Sequence, residues 1–68
     1  MPMNLALKFA MVESGRSQRA IAQAVGIHAT KLSQILHGWR EPSPDERKAI
    51  AKVLKRKVSD VFPLAEAS

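Results

Sequence analysis

The stretch from residue 17 to residue 38 constrains the fold most strongly, because it holds two short helical segments separated by about three residues. Apolar residues recur at helical spacing over about residues 18–25 and again over about residues 29–37. Gly26 lies between them and supplies the left-handed backbone that commonly ends a helix. Helices joined so closely must cross at a steep angle and need a small residue at the crossing, which Ala22 provides. We therefore expect a tight helix pair at the centre of the fold.

The second segment of this pair has two distinct faces. At about 100° per residue, Leu32, Ile35 and Leu36 form one apolar stripe that we expect to face the core. Ile27 is placed to fill the corner of the pair. Solvated helix faces usually carry Lys, Glu and Arg, but the opposite face here carries short, uncharged, hydrogen-bonding side chains: Thr30, Ser33 and Gln34. These features are typical of a helix-turn-helix, whose second helix enters the major groove of DNA.

Helical periodicity recurs in the rest of the chain, and no segment has the alternating pattern of a strand. The first helix is predicted over about residues 5–14, with Asn4 as its N-cap and Gly15 at its end. The predicted inward stripe of this helix consists of Leu5, Phe9 and Val12.

The clearest helix start is the tetrapeptide SPDE, in which Ser43 caps the fourth helix and Pro44 takes its first position. Glu46 is expected to complete a capping box with Ser43. The apolar residues predicted to lie on the inner side of this helix are Ala49, Ile50, Ala51, Val53 and Leu54.

A last helical turn is predicted over residues 58–62, and Phe62 is assigned to the core. Residues 64–68 are expected to form a frayed tail. The sequence contains no internal repeat and no low-complexity segment. Residues 1–68 are therefore expected to form a single all-α domain.

Composition narrows the classes of function. The 68 residues lack cysteine, and His28 and His37 have no convincing further ligands nearby, so no metal site is expected. Neither a nucleophile–base set nor a carboxylate pair indicates an enzyme, and no cofactor is expected. No apolar run approaches the roughly 18–20 residues of a membrane span, and the start does not resemble a signal peptide, so a cytoplasmic location is expected. The net charge of +5 favours an anionic partner, either nucleic acid or a membrane surface.

Residues 15–62 resemble the Cro/CI-like family, the lambda repressor-like or XRE-type helix-turn-helix regulators. The resemblance lies in GRSQRAIAQAVGIHATKLSQILHGWREPS and in IAKVLKRKVSDVF. It implies an all-α, five-helix lambda repressor-like domain with the helix-turn-helix formed by helices 2 and 3. It also implies a homodimer on a two-fold operator in double-stranded DNA. The positions at the family's spacing are Gln18, Ala22, Gly26, Ile27, Leu32, Ser33, Ile35 and Gly38.

The sequence departs from the family pattern at several positions. Met11 and Leu36 stand where the family often has an Arg–Glu ion pair, so we expect an apolar contact instead. Arg16 stands where an apolar residue is common. His28 replaces the usual Ser or Thr cap of the third helix, so that cap is expected to be weak. Residues 55–57 replace a Gly-Val-Ser-like turn, so the fourth helix is expected to run on further than usual.

The polar face of the third helix is predicted to meet base edges. Glutamine can pair with adenine N6 and N7, while threonine and alanine can pack against the thymine methyl group. The predicted base contacts are Ala29, Thr30, Ser33 and Gln34. The predicted contacts to the DNA backbone are Arg16, Gln18, Arg19, His28, Lys31, Trp39 and Arg40. For Trp39 we favour a ring that covers the core with partial exposure, although its indole N–H is also placed to meet a phosphate.

The leading interpretation is a sequence-specific transcriptional regulator, in particular a small repressor of the phage or plasmid type. The alternative is an antitoxin-like module that binds a partner protein and also represses its own operon. A membrane-surface protein fits the positive charge, but the caps and turns indicate a folded bundle rather than one long interfacial helix.

Overall fold

The computed structural model describes residues 3–63, and this part of the chain is all-α. Apart from the end of the fourth helix, the helix boundaries lie within one or two residues of the predicted ones, so the expected five-helix class is confirmed. The predicted frayed tail, residues 64–68, lies outside the described residues. The helices are α1 (Leu5–Ser14), α2 (Gln18–Val25), α3 (Ala29–Leu36), α4 (Pro44–Val53) and α5 (Val58–Val61).

Local side-chain caps explain where the helices begin. The Ser43 hydroxyl accepts a hydrogen bond from the Glu46 backbone N–H (3.2 Å), and the Glu46 carboxylate accepts one from the Ser43 N–H (2.9 Å). The side chains of Asn4 and Ser17 cap α1 and α2 in the simpler one-bond form. His28 makes no side-chain cap hydrogen bond at the start of α3, which confirms the weak cap predicted there.

The helices enclose one hydrophobic core. Helix α2 packs against α3 and α4, while α5 joins α1 to α4. Met11 and Leu36 are both buried in this core, so an apolar pair occupies the place of the family's ion pair. Phe62 is also buried, as predicted. The buried residues are Leu7, Ala10, Met11, Ile21, Ala22, Leu32, Ile35, Leu36, Ile50, Ala51, Leu54, Val61 and Phe62.

The predicted inward stripe of α1 is wrong. Leu5, Phe9 and Val12 are 57%, 61% and 68% exposed, and we call these three residues the α1 apolar stripe. Apolar side chains surround α1 almost completely, so its sequence pattern does not select one face. The residues that α1 contributes to the core are Leu7, Ala10 and Met11.

Two long-range hydrogen bonds of Asn4 fix the rotation of α1. The Asn4 backbone N–H donates to the Leu36 carbonyl (2.8 Å), and its side-chain Nδ2 donates to the Val61 carbonyl (2.9 Å). The same side chain accepts from the Leu7 N–H as the helix cap. Because these bonds anchor the first turn to the ends of α3 and α5, Leu7 points inward and Leu5 outward.

The expectation that α4 runs on is also wrong, because α4 ends at Val53. Lys55 adopts a left-handed conformation with φ of +58°. The N–H of Lys55 donates to the Lys52 carbonyl (3.1 Å), and the N–H of Arg56 donates to the Ala51 carbonyl (2.9 Å). These two bonds form a Schellman motif, in which Lys55 takes the place usually held by glycine.

Candidate nucleic-acid interface

The turn between α2 and α3 is closed mainly on the Ala22 carbonyl, and the Gly26 N–H also donates to the Gln23 carbonyl at 3.2 Å. The backbone N–H groups of Gly26 and Ile27 both donate to the Ala22 carbonyl, at 2.9 and 3.0 Å. Gly26 has φ of +91°, a value that side-chain-bearing residues rarely adopt. Ala22 is 1% exposed, as a small residue at a close helix crossing should be. Ile27 packs against the core and fills the corner.

Helix α3 presents its polar face to the outside. Thr30 is exposed, and Ser33 and Gln34 are partly exposed, while the apolar stripe on the other side is buried. Ala29 is partly buried and packs against the core. The orientation required for base contact is therefore present for the three polar residues, and Ala29 offers only part of its surface.

A shallow concavity gathers residues from three places in the chain. It joins the start of α2, the polar face of α3 and the loop that follows α3. The residues that line it were all predicted to contact DNA, four at bases and two at the backbone. They are Gln18, Ala29, Thr30, Ser33, Gln34 and Trp39.

Gln18 ties the two helices of the motif together. Its side-chain Nε2 donates to the Ala29 carbonyl at 3.2 Å. A glutamine amide nitrogen carries two hydrogens, so one donor stays free for a phosphate oxygen. Gln18 is therefore suited to position α3 and to bind the DNA backbone at the same time.

Lys31 is engaged in an ion pair that the sequence analysis missed. Its ammonium contacts the Glu46 carboxylate, and their side chains are 33% and 20% exposed. The Lys31 hydrogen bond is the main cause that lowers the pKa of Glu46, and the backbone N–H of Ser43 adds to it. No local pattern in the sequence signals a contact between the third and fourth helices. As a phosphate contact, Lys31 must divide its donors between DNA and Glu46.

Trp39 is 72% exposed, so the predicted packing of its ring over the core is wrong. Its backbone N–H donates to the Gln34 carbonyl (2.9 Å), which places it beside the polar face of α3 rather than over the core. The indole ring instead meets the His37 ring edge-on, with centroids 5.1 Å apart and planes at 70°. The third helix was predicted to run to His37, and in the structure it ends one residue earlier, with His37 as its C-cap.

The other side chains predicted to contact the DNA backbone are accessible. Arg16 and Arg19 flank the start of α2 and His28 precedes α3, and all three are exposed. Arg40 is exposed as well, and its Nε donates to the Gln34 side-chain oxygen at 3.2 Å. Within residues 3–63, none of these arginines forms an ion pair.

Comparison with known protein families assigns the chain to one of them. A family profile described as helix-turn-helix, of the XRE and lambda repressor-like type, matches residues 7–61. Comparison with curated proteins gives no match, and comparison with solved structures gives none either. None of the helices within residues 3–63 has the length and apolar character needed to cross a membrane. The match spans most of the chain, from the first core residue of α1 to the end of α5, and the chain therefore belongs to the XRE and lambda repressor-like helix-turn-helix family of DNA-binding transcription regulators.

Proposed function

We propose that the protein is a sequence-specific repressor that reads the major groove with α3. The observation that carries this proposal is the outward-facing, uncharged, hydrogen-bonding surface of α3 within a matched helix-turn-helix. Short amide and hydroxyl groups can hydrogen-bond to base edges in the major groove, and base edges carry the sequence information. The side chains assigned to bases are Ala29, Thr30, Ser33 and Gln34.

Contacts to the phosphates frame this reading surface. The free donor of Gln18 lies at the edge of the concavity, and exposed cations flank the same motif. The net charge of +5 supports attraction to DNA at longer range. The side chains assigned to the DNA backbone are Arg16, Gln18, Arg19, His28, Lys31, Trp39 and Arg40.

We infer that two copies bind a two-fold operator. A single α3 contacts only a few base pairs, and proteins of this motif gain specificity by pairing half-sites about 34–36 Å apart. Such a repressor, of a phage or plasmid type, would work in the cytoplasm, where its operator lies.

Selection of bound sequences from a random duplex pool tests the proposal. We expect the selected sequences to share a two-fold motif. The logarithm of the binding constant should fall with the logarithm of the salt concentration, with a slope of about −0.9 per neutralised phosphate. Gln34→Ala should relax the preference at one position of each half-site, while Gln18→Ala should weaken binding to all sequences similarly. Gln23→Ala is the matched control, because Gln23 is an exposed glutamine on α2 that does not line the concavity. Recovery of no preferred motif would refute the proposal.

An antitoxin-like role is the second candidate, and the α1 apolar stripe is the observation that favours it. Exposed apolar residues grouped on one face are typical of surfaces that bind another protein. Phe9→Ser should then abolish capture of a toxin encoded beside the gene but leave DNA binding intact. If the protein represses transcription and no toxin is encoded beside its gene, repression would remain as the sole function.

A further inference from the structure

The end of α3 brings Arg40 back to Gln34. Gly38 adopts φ of +78°, and the chain reverses direction after it. The N–H groups of Trp39 and Arg40 then both donate to the Gln34 carbonyl, at 2.9 and 3.2 Å. The backbone of Arg40 is therefore fixed beside a residue of the polar face by the turn itself.

The side chains of the same two residues are also paired. Arg40 Nε donates to Gln34 Oε1 at 3.2 Å. A guanidinium has only hydrogen-bond donors, so the atom of the Gln34 amide that faces it must be the oxygen. The Gln34 amide nitrogen, with its two hydrogens, is consequently the atom left to face another partner.

This pairing changes which base suits Gln34. A free glutamine amide offers one acceptor and one donor, which match the N6 amino group and N7 of adenine. In the pair the acceptor is shared with a guanidinium, whose positive charge disfavours an approaching amino group. Guanine presents two acceptors, O6 and N7, and these suit the amide hydrogens of Gln34 and the remaining Nη donors of Arg40.

We propose that Arg40 is a specificity-determining residue, which holds the Gln34 oxygen and so makes the Gln34–Arg40 pair a reader of guanine instead of adenine. This inference rests on the proposed function of α3 as the reading helix. Arg40 determines the preferred base through its hydrogen bond to the Gln34 side chain. This role is additional to the charge that Arg40 offers to phosphates.

Pool selection with wild type, Arg40→Ala and Lys48→Ala tests the inference. Wild type should select guanine at one position of each half-site. Arg40→Ala should shift that position to adenine, with a change in the guanine-to-adenine binding ratio of about tenfold or more. Lys48→Ala removes an equal charge from an exposed site on α4 and should keep the guanine. Arg40→Met, which retains the aliphatic stem, should repeat the shift if the alanine variant does not fold.

The possible failures can be told apart. A wild type that selects no motif refutes the proposed function, and this inference falls with it. Two results overturn this inference alone. One is a wild type that selects adenine at the expected guanine position; the other is an Arg40→Ala variant that still selects guanine but binds all sequences more weakly. In the free protein, Gln34→Ala should shift the NMR resonance of the Arg40 Nε–H while Gln23→Ala should not. An unshifted resonance would also overturn the inference.

Discussion

Replacing Lys55 by glycine should stabilise the protein. Lys55 is the one non-glycine residue within residues 3–63 that has a positive φ, at +58°. It holds this conformation because the Schellman motif at the end of α4 needs a left-handed residue there. Glycine has no Cβ and meets the requirement without steric cost.

Two opposing terms set the size of the effect. A side-chain-bearing residue in the left-handed region costs roughly 1–2 kcal/mol. Glycine also increases the conformational entropy of the unfolded chain, which offsets about 0.4–1 kcal/mol of the gain. With each term near the middle of its range, the net increase in the free energy of unfolding is about 0.5–1 kcal/mol. For a domain of this size, that corresponds to a rise in Tm of about 2–8 °C.

Thermal unfolding followed by far-UV circular dichroism, together with urea titration, measures this change. Lys55→Ala is the control, because it removes the same charge and keeps the strained conformation. It should unfold close to wild type, with Lys55→Gly clearly above both. If the glycine variant is no more stable than the alanine variant, the left-handed strain assigned to Lys55 is absent and the reasoning is wrong.

Three further predictions follow from the ion pair and the core. Glu46→Gln keeps a capping-box residue but loses the Lys31 ion pair, so urea titration should show a loss below about 1 kcal/mol. It also frees Lys31 for DNA, so the salt slope of binding should steepen, and an unchanged slope would contradict this role. The pKa of Glu46 is lowered in the folded state, so ionised Glu46 stabilises the protein at pH values above its ordinary pKa of 4.5. That contribution is lost as the pH falls through the lowered pKa of the folded state. The stability difference between wild type and Glu46→Gln should therefore vanish in acid. Finally, Leu7→Ala should cost about 2–5 kcal/mol, whereas Phe9→Ser should stay within about 0.5 kcal/mol, and equal losses in urea would contradict the rotation of α1.

Local signals in the sequence were sufficient to predict the helices. Caps at Asn4, Ser17 and Ser43 act within three residues, so they can be identified without knowing the fold. The rotation of α1 could not be predicted in this way, because it depends on a hydrogen bond from Asn4 to the distant Val61. The end of α4 was missed because Lys55 fills a glycine position, which only the closed turn reveals.

For the candidate interface, too, part of the arrangement could be predicted from the sequence and part depends on the folded chain. Helical periodicity was enough to predict that Thr30 faces outward, since that follows from the buried stripe on the other side of α3. The partners of these side chains depend on how the chain returns after α3. The pairing of Gln34 with Arg40 needs the turn at Gly38, and that is a property of the folded loop.

The carboxylate of Glu46 joins the first turn of α4 to the helix assigned to the bases, because it bonds both Ser43 and Lys31. A phosphate that draws Lys31 toward DNA removes one of these two partners. We expect the amide protons at the start of α4 to exchange with solvent at a different rate when DNA is bound. Hydrogen exchange in α4 would then report DNA binding, although α4 holds none of the residues assigned to the bases.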